Sequence, residues 1–159
     1  MADRIQKTLA HAGFGSRREI EAAIAAGRVR VNDKTAELGA SLAAGDRVAI
    51  DGCFVNWEKR IDVPCRVLAY KKHVDQVVTR SDPEGRATVF RKLPRLEGGR
   101  WLAVGRLDEN TSGLLLMTTD GELKRRLEHP SYALARTYAV RIHGRVDQAM
   151  IDRLVAGVE

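Results

Sequence analysis

The sequence predicts an α+β protein: a small module of two helices and a short curled sheet, then a larger mixed domain around a largely antiparallel sheet. Three observations carry this. Two short apolar stripes at helical spacing precede alternating, strand-like segments within the first fifty residues. Beyond them, strand-like and helix-like stretches follow one another without a regular βαβ rhythm. The apolar runs at 101–104 and 114–117 flank a polar insert longer than a simple hairpin turn requires. At 159 residues, one domain or two small ones fit.

Composition narrows the class. The chain is 44% hydrophobic and 30% charged, which suits a globular protein rather than a disordered one. No apolar stretch approaches the roughly 20 residues of a membrane helix. The start, MADRIQKTLAHAG, is charged from its third residue and lacks the apolar core of a secretory signal, so a cytoplasmic location is expected. Cys53 and Cys65 stand outside any CxxC pattern, and His11, His73, His129 and His143 share no ligand spacing. The expectation is inert thiols, no metal site and, by default, a monomer. The net charge of +6, from 27 basic and 21 acidic residues, favours a polyanionic partner, nucleic acid above all. A merely soluble basic surface is the alternative.

The first module parses in order. Ile5 and Leu9 are four apart, a helical stripe that Gly13 stops. Ser16-Arg17-Arg18-Glu19 fits a capping box, and Ile20 and Ile24 continue that helix's inner face to Gly27. Arg28-Val29-Arg30-Val31 alternates like a half-buried strand, Asn32-Asp33-Lys34 reads as a turn, and residues 45–52 (GDRVAIDG) as another strand between turns. Arg17 and Arg18 open a helix whose N-terminus favours phosphate. Arg28 and Arg30 share one strand face, with Lys7 and Lys34 bordering it. Together they could follow a phosphate backbone; a solvated charged face is the competing reading. Residues 53–64 (CFVNWEKRIDVP) read as a linker closed by Pro64. The resulting division is 1–52, 53–64 and 65–159.

In the second domain, residues 66–70 begin a strand and Gln76-Val77-Val78-Thr79 a further one, before a strong turn at Ser81-Asp82-Pro83-Glu84-Gly85. Val89, Phe90 and Leu93 suggest a short helix ending at Pro94. Residues 114–117 read as a buried strand, and Thr119-Asp120-Gly121-Glu122 as a helix start running towards Pro130. Residues 136–142 alternate as a strand with Tyr138, Val140 and Ile142 on one face; Asp147 then starts a helix with Ile151, Leu154 and Val155 inward.

The insert holds the reactive candidates. If Arg106-Leu107-Asp108 is extended, the arginine and aspartate face one side and Leu107 anchors the other. A guanidinium beside a carboxylate favours its ionised form and fixes its orientation. That suits a nucleophile or base held charged on the floor of a cleft, and equally a plain structural ion pair. Taken alone, Tyr138 reads as a core residue beside Val140 and Ile142.

Two resemblances follow from the wording. LAHAGFGSRREIEAAIAAGRVRVNDK, followed by GDRVAIDG, resembles the S4 RNA-binding domain; Ser16-Arg17-Arg18, Gly27-Arg28-Val29 and Val31-Asn32 match its pattern, and Asp33 stands where that family commonly has Gly. GRLDENTSGLLLMTTDGEL strongly resembles the catalytic motif of RNA pseudouridine synthases. With HPSYALARTYAVRIHG downstream, it is most similar to the branch acting on ribosomal RNA, and Asn110-Thr111 with Thr118-Thr119-Asp120-Gly121 favours large-subunit over small-subunit rRNA. The fold implied is an S4-type αα-β module ahead of a mixed, largely antiparallel pseudouridine synthase domain.

The resemblance implies roles. Asp108 falls on the aspartate that attacks the target uridine, at ribose C1′ or base C6 or by a glycal route. Arg106 falls on the arginine that pairs with it and helps open the RNA. Tyr138 falls on a tyrosine that stacks on the base and takes the C5 proton. Lys7, Arg17, Arg18, Arg28, Arg30, Asn32 and Lys34 are the implied RNA contacts, and no metal or organic cofactor is required. The family continues to a further C-terminal motif, so a catalytic domain incomplete after Glu159 is expected. A non-catalytic rRNA-binding or ribosome-assembly protein is the rival reading.

Overall fold

The computed structural model describes residues 3–157. Its first half runs β1 (Asp3–Arg4), α1 (Ile5–His11), α2 (Arg17–Ala25), β2 (Val29–Val31), β3 (Lys34–Thr35), β4 (Ser41–Leu42), β5 (Val48–Ile50), β6 (Cys53–Val55) and α3 (Trp57–Ile61). The capping box at α2 forms as the sequence predicts. Ser16 Oγ accepts from the Glu19 amide at 3.2 Å, and the Glu19 carboxylate accepts from the Ser16 amide. Strands order β3-β2-β5-β6, all antiparallel, while β1 pairs with β4. Ile5, Leu9, Ile20 and Ile24 meet Val29, Leu42 and Val48 in one core, so the two helical stripes are buried by the sheet they precede.

Residues 53–64 are not the linker the sequence suggests. Cys53, Phe54 and Val55 pair with β5 as the edge strand. Trp57, only 6% exposed, drops into the first core and donates its indole N–H to the Asp46 carbonyl at 2.9 Å. One large apolar anchor among the charged residues 58–60 fixes a short helix that composition hides.

The second half runs β7 (Val67–Lys72), β8 (Gln76–Val77), β9 (Ala87–Thr88), β10 (Leu102–Val104), β11 (Gly113–Thr118), α4 (Gly121–Glu128) and α5 (Gln148–Ala156), with 3-10 turns at Val89–Lys92 and Pro130–Tyr132. The sheet is β10-β11-β7, antiparallel throughout, with Thr118 opposite Val67 and Gly113 opposite Lys72. The run at 114–117 is only half buried: Leu115 and Met117 enter the core with Trp101 and Val89, while Leu114 is exposed on the other face. Asp120 caps α4 by accepting from the Glu122 and Leu123 amides at 2.7 and 3.2 Å.

Two expectations fail beyond α4. Residues 136–142 form no strand, and Tyr138 (76% exposed), Val140 and Ile142 face solvent. Helix α5 does start at the Asp147 cap, but Ile151, Leu154 and Val155 are exposed rather than inward. A lone strand has nothing to bond its amides, and an apolar helix stripe is buried only against a partner. Among the described residues neither finds one.

The two halves touch through glycines. The Gly99 amide donates to the Ala12 carbonyl at 3.3 Å. A Cβ on Gly13, at φ +90°, would collide with the Gly99 carbonyl, and one on Gly98 would meet the Arg60 backbone. Gly39, at φ +86°, has open space around it. Gly13→Ala is therefore expected to destabilise by about 1–2 kcal/mol more than Gly39→Ala in urea unfolding, since both bear the same backbone strain but only one meets a neighbour. Equal losses would mean that the close approach contributes nothing.

Candidate active site

The insert at 105–112 joins β10 to β11. Leu107 packs against the second core, while Arg106 and Asp108 are exposed. An inward leucine between two exposed neighbours has the alternation of an extended Arg-Leu-Asp. The Asp108 carbonyl accepts from the Thr111 amide at 3.0 Å, closing a turn at the loop's tip.

The main support is a residue that sequence reading passed over. Lys72, the last residue of β7, is 0% exposed. Its Nζ donates to the carbonyls of Asp108 (2.8 Å), Glu109 (3.2 Å), Thr111 (2.6 Å) and His73 (3.1 Å). An ammonium has three protons, so four acceptors oblige it to share one. The cation meets backbone dipoles rather than a carboxylate, and those dipoles come mostly from the loop. A signal existed: Leu68, Tyr70 and Lys72 are two apart, and the first two pack inward, so period two puts Lys72 inside as well.

A second brace comes from Arg86. It grips Asp82 through Nη2 and Nε at 2.8 and 3.1 Å, and reaches Glu109 at 3.1 Å and Glu84 at 3.2 Å. The hydrogen-bonded Asp82 carboxylate, then nearby acidic charges, raise the Arg86 pKa above its ordinary value; Arg86 in turn lowers that of Asp82. The Glu109 carbonyl also accepts from the Asp75 amide at 3.1 Å, and the Gly105 amide donates to the Glu128 carboxylate of α4. Glu109 thus anchors the loop and leaves Asp108 as the presented acid.

Two expectations about the site are corrected. Among the described residues no ion pair joins Arg106 to Asp108; what is clamped is the backbone of residue 108, through its carbonyl. The carboxylate also stands exposed rather than on a cleft floor, and the segment that carries Tyr138 is itself irregular and exposed. The structure therefore places Arg106 and Asp108 on one loop without bringing Tyr138 into it.

The expected RNA face divides. Arg17 and Arg18 sit exposed in the first turn of α2, and Lys34 is exposed on β3. Arg28 is held by Asp51, Nε and Nη2 each at 2.6 Å, and Lys7 by Asp3 at 2.8 Å. Arg30 donates to the Asp33 carbonyl. Asn32 bonds Asp46 at 2.7 Å and accepts from the Arg47 amide at 3.0 Å, a tie between β2 and β5. Its internal bonds give Asn32 a structural task that the motif does not reveal. Cys53 and Cys65 are free and exposed. Among the described residues, no three His, Cys, Asp or Glu side chains gather as a metal set, and no helix is long and apolar enough to cross a membrane.

Comparison with known proteins bears on both halves. Residues 66–156 match the family model described as RNA pseudouridylate synthase, and residues 3–48 match that of the S4 domain. Relatives named ribosomal large subunit pseudouridine synthase B include that of Haemophilus influenzae, 58% identical over 99% of this chain and 44% of its own. That of Pasteurella multocida is 56% identical over 99% of this chain and 46% of its own. That of Escherichia coli (strain K12) is 53% identical over 100% of this chain and 55% of its own. The chain spans about half the length of the curated relatives it matches. A solved structure described as a pseudouridylate synthase aligns with 81% of this chain and 54% of that one, at 22% identity and a TM-score of 0.44.

Proposed function

The chain belongs to the RNA pseudouridylate synthase family, and from that premise we propose that it isomerises a uridine of ribosomal RNA, in the large subunit, to pseudouridine. The observation that carries the reading is the loop at 105–112: an exposed Asp108 side chain on a backbone pinned by the buried Lys72. A nucleophile has to be presented, and it has to be held still.

In this reading Asp108 attacks at C1′ or C6, the N1–C1′ bond breaks, and the base turns and rejoins through C5. The C5 proton leaves, N1 gains a proton, and the bond to Asp108 is broken. The rearrangement is redox-neutral, and every atom of the uridine returns to the RNA. A stacked uridine cannot offer its glycosidic bond, so the base must first be extruded. Arg106, exposed beside Asp108, is the cation for that step, and Tyr138 the stacking ring, worth on the order of 1–3 kcal/mol per base. Arg17, Arg18 and Lys34 supply the sequence-independent grip. Acting on ribosomal RNA, the protein works in the cytoplasm, as a monomer.

One observation favours RNA capture without chemistry: Tyr138 lies in an exposed, irregular segment. Incubation with a large-subunit rRNA transcript, followed by mapping of modified uridines, separates the two. New pseudouridine is the expected result; tight binding with none formed would leave the capture reading standing. Neutralising Arg17 and Arg18 together should reduce the salt slope of RNA binding by roughly two units, about one for each phosphate that is no longer neutralised. An unchanged slope would move the RNA face elsewhere.

A further inference from the structure

Arg80 and Arg100 have no part in the roles above, and both lie where the two halves meet. Arg100 directly follows Gly99, whose amide bonds Ala12. Arg80 donates Nη2 to the Trp101 carbonyl and lies 4.5 Å from the Phe90 ring centroid. Neither arginine enters an ion pair among the described residues. The Nε of Arg100 is buried with no hydrogen-bond partner, an arrangement that costs stability.

The electrostatics agree with that geometry. Burial, and then the charge of Arg100, hold Arg80 below the ordinary guanidinium value; burial does the same to Arg100. The carboxylate whose charge acts on both is Glu19. Its own pKa is lowered first by the hydrogen bond from the Ser16 backbone, so Glu19 is already committed to capping α2. Two partly desolvated cations, Arg80 still exposed and Arg100 half-buried, therefore share part of one occupied anion.

We propose that Arg80 and Arg100 form a seat for a backbone phosphate of the bound RNA at the junction of the two modules. A phosphate at the accessible edges of the two guanidiniums supplies the anion that neither has, and its charge relieves the repulsion between them; their planar forks suit it. The seat extends the basic first turn of α2, since Arg17, Arg18 and Glu19 are consecutive there. One strand is then gripped across both halves, which sets where along it Asp108 acts. The inference rests on the RNA reading above.

The test measures affinity for the same rRNA transcript between about 50 and 200 mM salt, the range over which binding through phosphates responds most steeply. Arg80→Gln and Arg100→Met should each weaken binding several-fold and lower the log–log salt slope by about one. Arg100→Met should also leave the melting temperature unchanged or raised, because it removes a buried, unpartnered donor. Glu19→Gln keeps the capping box, which accepts Gln at that position, and should tighten RNA binding by removing the competing carboxylate. Unchanged slopes in both arginine variants, or a lower melting temperature in all three variants with RNA affinity retained, would overturn the seat and leave an ionic latch between the halves. A wild-type chain that binds no RNA would overturn the functional reading as well, so the two failures are distinguishable.

Discussion

Asp108→Asn is expected to abolish the proposed uridine isomerisation while RNA affinity stays within a few-fold of wild type. The substitution preserves shape and removes only the charge and nucleophilicity of the side chain. A neutral amide cannot form the bond to the uridine on which the rearrangement depends, so the rate should fall by at least about a thousandfold. The fold should not notice. What holds residue 108 is its carbonyl, accepting from Lys72 Nζ at 2.8 Å and from the Thr111 amide at 3.0 Å, and the side chain is exposed. Neither bond involves the carboxylate. Single-turnover mapping of pseudouridine, beside filter binding and a thermal melt, checks all three claims. Turnover in the variant at even a tenth of the wild-type rate, an arbitrary but generous threshold of about 1.4 kcal/mol, would reject Asp108 as nucleophile. Loss of binding or folding together with activity would mean that the carboxylate is structural.

Such a separation is possible because the loop is built from backbone, and that explains what sequence alone could reveal. The capping box at Ser16 and Glu19 and the helix cap at Asp120 are local: each depends on side chains within a few positions, so their spacing announces them. Leu107 in and Asp108 out follows from period two alone. The misses are non-local. Trp57 belongs to the first core through a bond to Asp46, and composition records only that its neighbours are charged. Arg28 looks like an RNA contact until Asp51, from the turn after β5, occupies it. Residues 136–142 have the alternation of a strand but no partner edge among the described residues, and alternation without a partner is insufficient. Lys72 lies between these cases. Its inward face was readable from Leu68 and Tyr70, yet a lysine on an inward face looks like an error until thirty-odd residues later the loop supplies its acceptors.

Lys72→Met is accordingly the most damaging substitution expected outside the reacting group. Methionine matches the length of the lysine stem and tolerates burial, so cavity formation is not the issue. Two effects oppose each other. Removing a fully buried cation relieves its desolvation cost, but carbonyls of the loop lose a charged donor. The Asp108 and Glu109 carbonyls keep second partners, the amides of Thr111 and Asp75, whereas those of His73 and Thr111 were bonded by Lys72. At roughly 1–3 kcal/mol for each acceptor left buried without a donor, the net loss should be about 2–4 kcal/mol. Lys72→Arg should not rescue it, because a planar fork cannot converge on carbonyls arranged around a point charge. The local signature is hydrogen exchange: the amides of Thr111 and Asp75, both bonded to loop carbonyls, should lose protection ahead of the β7–β11 ladder. With the clamp gone, isomerisation should fall through kcat, since Asp108 is still present but no longer held, while RNA affinity persists. Wild-type stability and exchange in Lys72→Met would show that the four carbonyls find other donors, and that the loop owes its shape to the Arg86–Glu109 brace instead.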